Sequence, residues 1–399
     1  MAEAQTPKEA PVDFLAGLRP EAVGAPESGI VEVMNYGRNR QGMIPLWAGE
    51  GDLPTPPFIV EAATRSLAAG ETFYTWQRGI PDLREALARY HDRVFGQPFA
   101  SERFFVTQSG MHAVQIAVRI LAGTGDEILL LGPAWPNFAA AIGVGGATPV
   151  TVPMRFTLEG WKLDPERIEA AITPRTRALI VNTPSNPTGW TASHEELAVL
   201  LDIARRHGIW IIADEIYTRF VYEGVRAPSF RDLRTPQDRI LFVDTFSKNW
   251  AMTGWRLGWM EAPPELGQII ENLIQYSGSG VATFLQRAGV AALDRGEGFV
   301  EHMIGRARRG RQILCEALAG TGRVQFAPVQ GAFYLFFKVD GKPDVRRLGL
   351  EIVDEANVGM APGTAFGPGG EGFMRACFLS SPERITEAAG RLVDWLKRA

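Results

Sequence analysis

The stretch RILFVDTFSKNWAMTGWRLGWME, residues 239–261, decides how the chain is read. It opens as an apolar strand, RILFVDT (239–245), passes through a lysine set among hydroxyls and aromatics, and returns as a second strand candidate, RLGWME (256–261). Lys248 and Arg256 stand close together, and Asp244 is the one acid near the lysine. Something anionic, or something that reacts with an amine, would give these two cations a common use. Lysine is otherwise scarce: of 41 basic residues only Lys8, Lys162, Lys248, Lys338, Lys342 and Lys397 are lysine. Lys248 as a plain surface cation is the bland reading. An amine that must lose its proton to act as a nucleophile cannot be replaced by a guanidinium, which stays charged.

Outward from this stretch, short apolar runs alternate with amphipathic ones. RFFVT (103–107), EILLLG (127–132), RALIVN (177–182) and GIWIIAD (208–214) join the two strands above, each nearly uniform in apolar character. Strands of that kind are covered on both faces. Helical patterns over 109–122, 193–207 and 264–275 lie between them, so the alternation predicts a mainly parallel sheet flanked by helices. After about residue 300 the pattern changes to a charged helix (297–319), the run GAFYLFFKV (331–339), a helix over 344–356, the strand FMRACFL (373–379) and a final helix over 382–397. This predicts a smaller α+β domain. The division expected is a segment 1–60 packing on the small domain, a large domain 61–298 and a small domain 299–399.

Composition agrees with that size. The chain has 399 residues, 46% hydrophobic and 22% charged, the profile of a globular protein with a large core. A formal charge of −4 without a long run of one sign argues against nucleic acid and membrane surfaces as partners and for small molecules. No stretch has the apolar length of a signal peptide or a membrane span, which makes the cytoplasm the expected location. Cys315 and Cys377 lack a C-x-x-C spacing or nearby histidines and read as free thiols, with no metal site.

Three apolar runs end in polar side chains: RALIVN leads into NTPSNPTG, GIWIIAD into EIY, and RILFVDT into FSKNW. In open parallel sheets the carboxyl ends of strands border the binding crevice. Asn186, Asp214, Tyr217, Thr245, Ser247, Lys248 and Arg256 would then share one site. A single aspartate at a strand end is more often a cap or turn residue, but seven coincidences ask for a ligand. A buried carboxylate needs a cationic partner, a phosphate would gather Thr245, Ser247 and Arg256, and a carbonyl would suit Lys248. Pyridoxal 5′-phosphate has all three features.

At this point the chain resembles the fold-type I pyridoxal-phosphate aminotransferases of class I and II. The resemblance is carried by YTWQRGIPDLREAL (74–87), VTQSGMHAVQ (106–115), GPAWPNF (132–138), NTPSNPTG (182–189), ADEIY (213–217), TFSKNWAMTGWRLGW (245–259) and APGTAFGPGGEGFMR (361–375). It implies an α/β large domain with a mainly parallel seven-stranded sheet and a smaller α+β domain. It also implies roles. Lys248 would hold the cofactor's aldehyde carbon and later move the substrate proton. Asp214 would pair with the protonated pyridine nitrogen, while Asn186 and Tyr217 would donate hydrogen bonds to the phenolate oxygen. Trp135 would lie over the ring. Ser109, Gly110 and the Met111 backbone would bind phosphate at a helix start, with Thr245, Ser247 and Arg256 completing the cage. The family often has a hydroxyl-bearing residue where Met111 stands. Tyr74 would reach the phosphate of a neighbouring subunit, which makes a homodimer with shared sites part of the expectation. Arg375 would take the substrate α-carboxylate, with Gly49 and Asn186 beside it. The run GPGGEG (367–372) satisfies G-x-G-x-x-G literally, but a strand pattern follows it, so the dinucleotide reading fails its own condition.

The activity implied is transamination: an amino acid gives its amino group to the cofactor, and a 2-oxo acid receives it. A C–S β-lyase, like cystathionine β-lyase, is the alternative on the same fold, because both reactions begin with the same proton. A cofactor-sensing regulatory domain ranks last, since the reactive residues are all retained. The stretch YSGSGVATFLQ (276–286) has no basic residue to meet a side-chain carboxylate, and Trp47, Phe138 and Phe366 would favour apolar donors if near the pocket.

Overall fold

The computed structural model describes residues 13–398. Seven strands form the central sheet: β1 (Phe104–Thr107), β2 (Glu127–Gly132), β3 (Thr148–Pro153), β4 (Thr176–Asn182), β5 (Trp210–Asp214), β6 (Ile240–Thr245) and β7 (Gly258–Glu261). Their spatial order is β1-β7-β6-β5-β4-β2-β3. Only β7 runs against its neighbours, pairing antiparallel with both β1 and β6. Every residue of β1, β2, β6 and β7 is buried, as expected of apolar runs covered by helices on both faces.

The outer strand β3 was not among the strands expected. Its sequence TPVTVP carries two prolines, which remove ladder donors and disguise it as loop. An edge position with only β2 as partner tolerates them. The last sheet strand starts at Gly258 rather than residue 256, because Arg256 takes a left-handed backbone (φ 55°) before it.

Helices end and begin where the chain supplies the chemistry. In α1 (Gly110–Leu121) the Ser109 hydroxyl accepts the His112 N–H at 3.0 Å. In α2 (His194–His207) Ser193 and Glu196 form a capping box, and Gly208 (φ 65°) stops the helix. The start of α1 lies against β7 so closely that a Cβ on Gly258 would stand 2.6 Å from the Gly110 nitrogen. Gly258 therefore sets how near that helix end comes to Thr245, its cross-strand partner.

A second, antiparallel sheet contains β8 (Val324–Phe326), β9 (Tyr334–Val339), β10 (Ala361–Pro362) and β11 (Phe373–Cys377), in the order β8-β9-β11-β10. Phe336 pairs with Arg375, and strand alternation puts Tyr334 on the same face. The GPGGEG run leads into β11, not a helix. Upstream, Ile44–Pro45 pairs in parallel with Val358–Gly359, while Val33, Trp47 and Val353 share a small core cluster. These contacts carry the segment Trp47–Glu50 to the edge of the central sheet's carboxyl ends. No helix among the described residues is long and apolar enough to cross a membrane.

Candidate active site

A cavity of about 340 Å³ opens at the carboxyl ends of β4, β5 and β6. Its walls include Gly49, Gly110, Met111, Trp135, Asn186, Asp214, Tyr217, Thr245, Ser247, Lys248, Arg256 and Arg375, residues separated by more than 300 positions in the chain. Asn182 at the end of β4 pairs in register with Asp214 at the end of β5. Parallel pairing thus delivers the polar ends of neighbouring apolar runs to one level.

The charges in this cavity lack counter-charges. Asp214 is 2% exposed and accepts from Asn182 Nδ2 at 3.1 Å and from the Ile216 N–H at 3.4 Å, both neutral donors. Burial pushes its carboxyl up to about 7. Lys248 donates from Nζ to the Gly49 carbonyl at 2.8 Å, and burial lowers its amine to about 8. Arg375, also 2% exposed, donates to Asn186 Oδ1 at 3.0 Å and to the Trp47 carbonyl, with its guanidinium 4.7 Å from the Tyr334 ring centre and 4.9 Å from that of Phe366. None of the three forms an ion pair among the described residues. Buried charges left this way are costly unless a ligand completes them.

At one end Thr245 Oγ1 lies 2.9 Å from Ser247 Oγ and accepts the Ser247 N–H at 3.1 Å. Arg256 donates to the Thr253 carbonyl at 2.6 Å and has no carboxylate partner among the described residues. Gly110 and Met111 bring the first turn of α1 to the same end, where free N–H groups and the helix dipole favour an anion. Lys248, Asp214, Asn186, Tyr217 and Arg375 line the same cavity. The arrangement fits a ligand with an anionic group, a protonated nitrogen and an amine-reactive carbon, and pyridoxal 5′-phosphate combines these.

Ser109 stands just outside the lining, its hydroxyl oxygen engaged as the helix cap. Tyr74 is not in the wall at all: its side chain is 93% exposed beside Phe73 and Trp76. Trp47 and Phe138 line the cavity, whereas Phe366 lies behind Arg375. Sequence reasoning gave no role to Asn182, Tyr334, Glu50, Thr253 or Ile30, which also line it. Asn182 was legible as the polar end of RALIVN. The Tyr334 hydroxyl lies 2.7 Å from that of Tyr217, an approach no spacing along the chain announces.

Comparison with known proteins bears on this geometry. The profile of the family described as "Aminotransferase class I and II" matches residues 41–392. The aspartate aminotransferase of Pyrococcus horikoshii is 33% identical over 368 residues, covering 92% of this chain and 93% of that protein. Aromatic-amino-acid aminotransferase 2 of Thermococcus litoralis is 32% identical, over 93% of this chain and 96% of that one. Among solved structures, the alanine aminotransferase of Pyrococcus furiosus superposes with a TM-score of 0.89 at 28% identity, covering 96% of this chain and 100% of that chain.

Proposed function

Because the chain belongs to the class I and II aminotransferases, which are pyridoxal 5′-phosphate-dependent transaminases, we propose that its cavity serves amino donors whose side chains carry no negative charge. One observation supports this reading. Apart from Lys248, Arg256 and Arg375, which have other assignments, no basic side chain among the described residues lines the cavity, while Ile30, Met111, Trp135 and Phe138 do. A second carboxylate would find no cationic partner in the lining this chain supplies, at a cost of several kcal/mol for an unpaired buried charge.

When bound, the cofactor supplies an aldehyde that carries the amino group and a protonated ring that withdraws electrons from the substrate's α-carbon. Lys248 Nζ would hold the aldehyde carbon and, once displaced by the substrate amine, move the α-proton. Its lowered basicity leaves part of the amine unprotonated near neutral pH. Asp214 would hold the ring-nitrogen proton, and that cation returns its carboxyl to the ionised form. Asn186 and Tyr217 would donate to the ring oxygen. Ser109, Gly110, Met111, Thr245, Ser247 and Arg256 would hold the phosphate, and Trp135 would cover the ring face. Arg375 would orient the α-carboxylate, with Gly49 and Asn186 alongside. The same first proton transfer serves β-elimination, but the relatives are named as aminotransferases, and the lyase alternative has no such support.

A homodimer belongs to the proposal. Phe73, Tyr74, Trp76 and Tyr276 are between 64% and 93% exposed, an aromatic surface suited to a second copy whose phosphate site Tyr74 would reach. The division into 1–60, 61–298 and 299–399 is proposed with it, supported by the two separate sheets; residues 1–12 of the first segment lie outside the described residues. A cytoplasmic location accords with the free thiols of Cys315 and Cys377. The test is a half-reaction screen following the bound cofactor's visible absorbance with each amino acid. Apolar and aromatic donors should convert it at least tenfold more efficiently than aspartate or glutamate, and the reverse order would overturn the substrate proposal.

A further inference from the structure

We propose that Tyr334 is a positioning residue for Tyr217: its hydroxyl donates to the Tyr217 oxygen and thereby turns the Tyr217 proton into the cavity. The inference rests on the cofactor reading above, in which Tyr217 faces an anionic ring oxygen.

The two hydroxyls lie 2.7 Å apart in a buried setting, their rings nearly perpendicular with centroids 5.8 Å apart. A phenol has one proton to give and lone pairs to accept with. If Tyr217 gave its proton to Tyr334, it would present only lone pairs to the anionic oxygen and repel it. With Tyr334 as donor, the Tyr217 oxygen is satisfied from behind and its own O–H is free to point forward. Chains of donors in a water-poor site also strengthen one another.

Two further contacts fix the Tyr334 hydroxyl. Gly49 makes room for it, since a Cβ at that position would stand 2.4 Å from the Tyr334 oxygen. The Arg375 guanidinium over the ring, at 4.7 Å, draws electron density toward the ring face, which makes the Tyr334 O–H a better donor, and holds the ring in place. Arg375 reaches the ring oxygen's other donor through Asn186. Tyr334 gives Tyr217 the corresponding support on its side.

Donors to the ring oxygen would stabilise it as an anion, and the bound cofactor would then lose its titrating proton at lower pH. Removing the rear donor should make that proton harder to lose. In the holoenzyme, Tyr334→Phe keeps the ring, its aromatic contacts and the contact with Arg375. It is expected to raise the pH midpoint of the cofactor's visible absorbance by about half to one unit, the size of one hydrogen bond. The KM for the amino acid should stay within about twofold, because the carboxylate partner is untouched. Tyr217→Phe should raise the midpoint at least as far, and the double variant should match Tyr217→Phe alone. An unchanged midpoint in Tyr334→Phe, or a further rise in the double variant over Tyr217→Phe, would overturn the inference. A wild-type chain that takes up no pyridoxal 5′-phosphate would instead overturn the cofactor reading, and this one with it.

Discussion

Arg375 donates from Nη1 to Asn186 Oδ1 across 3.0 Å, so the residue proposed for the substrate carboxylate also fixes one that faces the cofactor. Asn182 holds the Asn186 main-chain N–H at 2.8 Å and donates to Asp214 at 3.1 Å. Four residues, Arg375 in the middle of β11, Asn186 after β4, and Asn182 and Asp214 at the ends of β4 and β5, thus form one connected strip along the cavity wall.

From this strip follows the effect of removing its charge. Arg375 is a buried cation with only neutral partners, and a two-pronged pair with a carboxylate would supply what it lacks. Arg375→Ala should lower half-reaction efficiency by roughly 30-fold to several thousandfold, the equivalent of about 2–5 kcal/mol for a desolvated pair. Cofactor absorbance should persist. Arg375→Lys keeps the charge but loses the fork and should fall between the two. Stopped-flow rates against amino acid concentration separate these outcomes, and an Ala variant with wild-type efficiency would return Arg375 to a structural role.

Asp214 makes the apoprotein's stability depend on pH in a definite direction. Burial raises its folded-state value from 3.8 to about 7, so between those values the native state holds a proton the unfolded state has lost. The contribution is fully present below pH 3.8 and is lost as pH rises through about 7. Asp214→Asn does not titrate, and its apo form should exceed the wild type at pH 8 by on the order of a few kcal/mol while matching it near pH 4. Adding the cofactor should reverse the ranking, because only the carboxylate gains a cationic partner. Urea titrations of apo and loaded forms at several pH values check both halves, and a pH-independent difference would contradict the burial argument.

Next to Asp214 in the chain, Glu215 belongs to a buried ion cluster none of whose members lines the cavity. Arg231, with a fully buried side chain, contacts Glu215 and Glu261 at 2.8 Å each, and Glu261 also meets Arg103 and Arg234. Burial alone would push the Glu261 carboxyl up, yet the arginines around it hold it down to about 2. Removing one member leaves the others uncompensated. Arg231→Met should therefore destabilise the protein by about 3–5 kcal/mol, whereas replacing Arg231, Glu215 and Glu261 together by apolar residues should cost much less. Thermal or urea unfolding of the single and triple variants gives the comparison.

Much of this was legible along the chain, for a physical reason. A strand buried on both faces is apolar throughout, so the polar residues that end it stand out, as Asp214, Asn182 and Thr245 do. What stayed hidden was what the third dimension adds. The prolines of β3 obscured an edge strand whose partner lies on one side only. Tyr334 sits inside the uniform run GAFYLFFKV, and only the pairing of β9 with β11 turns it toward Tyr217. Ser109 reads as a phosphate ligand from its neighbours, and the fold adds a second use for its hydroxyl, whose oxygen caps the helix while its proton remains free to donate.

Tyr74 is the residue whose proposed role needs a second copy, and that makes it testable by mixing. Its ring is 93% exposed and outside the cavity of its own chain. If each site takes Lys248 from one subunit and Tyr74 from the other, a dimer of one Lys248→Ala chain and one Tyr74→Ala chain has one site with both defects and one with neither. Co-refolding equal amounts should then give about one intact site in four, assuming random pairing of symmetric dimers. Activity and cofactor affinity should exceed the average of the two parents, with a component matching the wild-type dissociation constant. If Tyr74 served only its own chain, every mixed dimer would pair one Lys248-deficient site with one Tyr74-deficient site, and the mixture would show the parental average at every ratio.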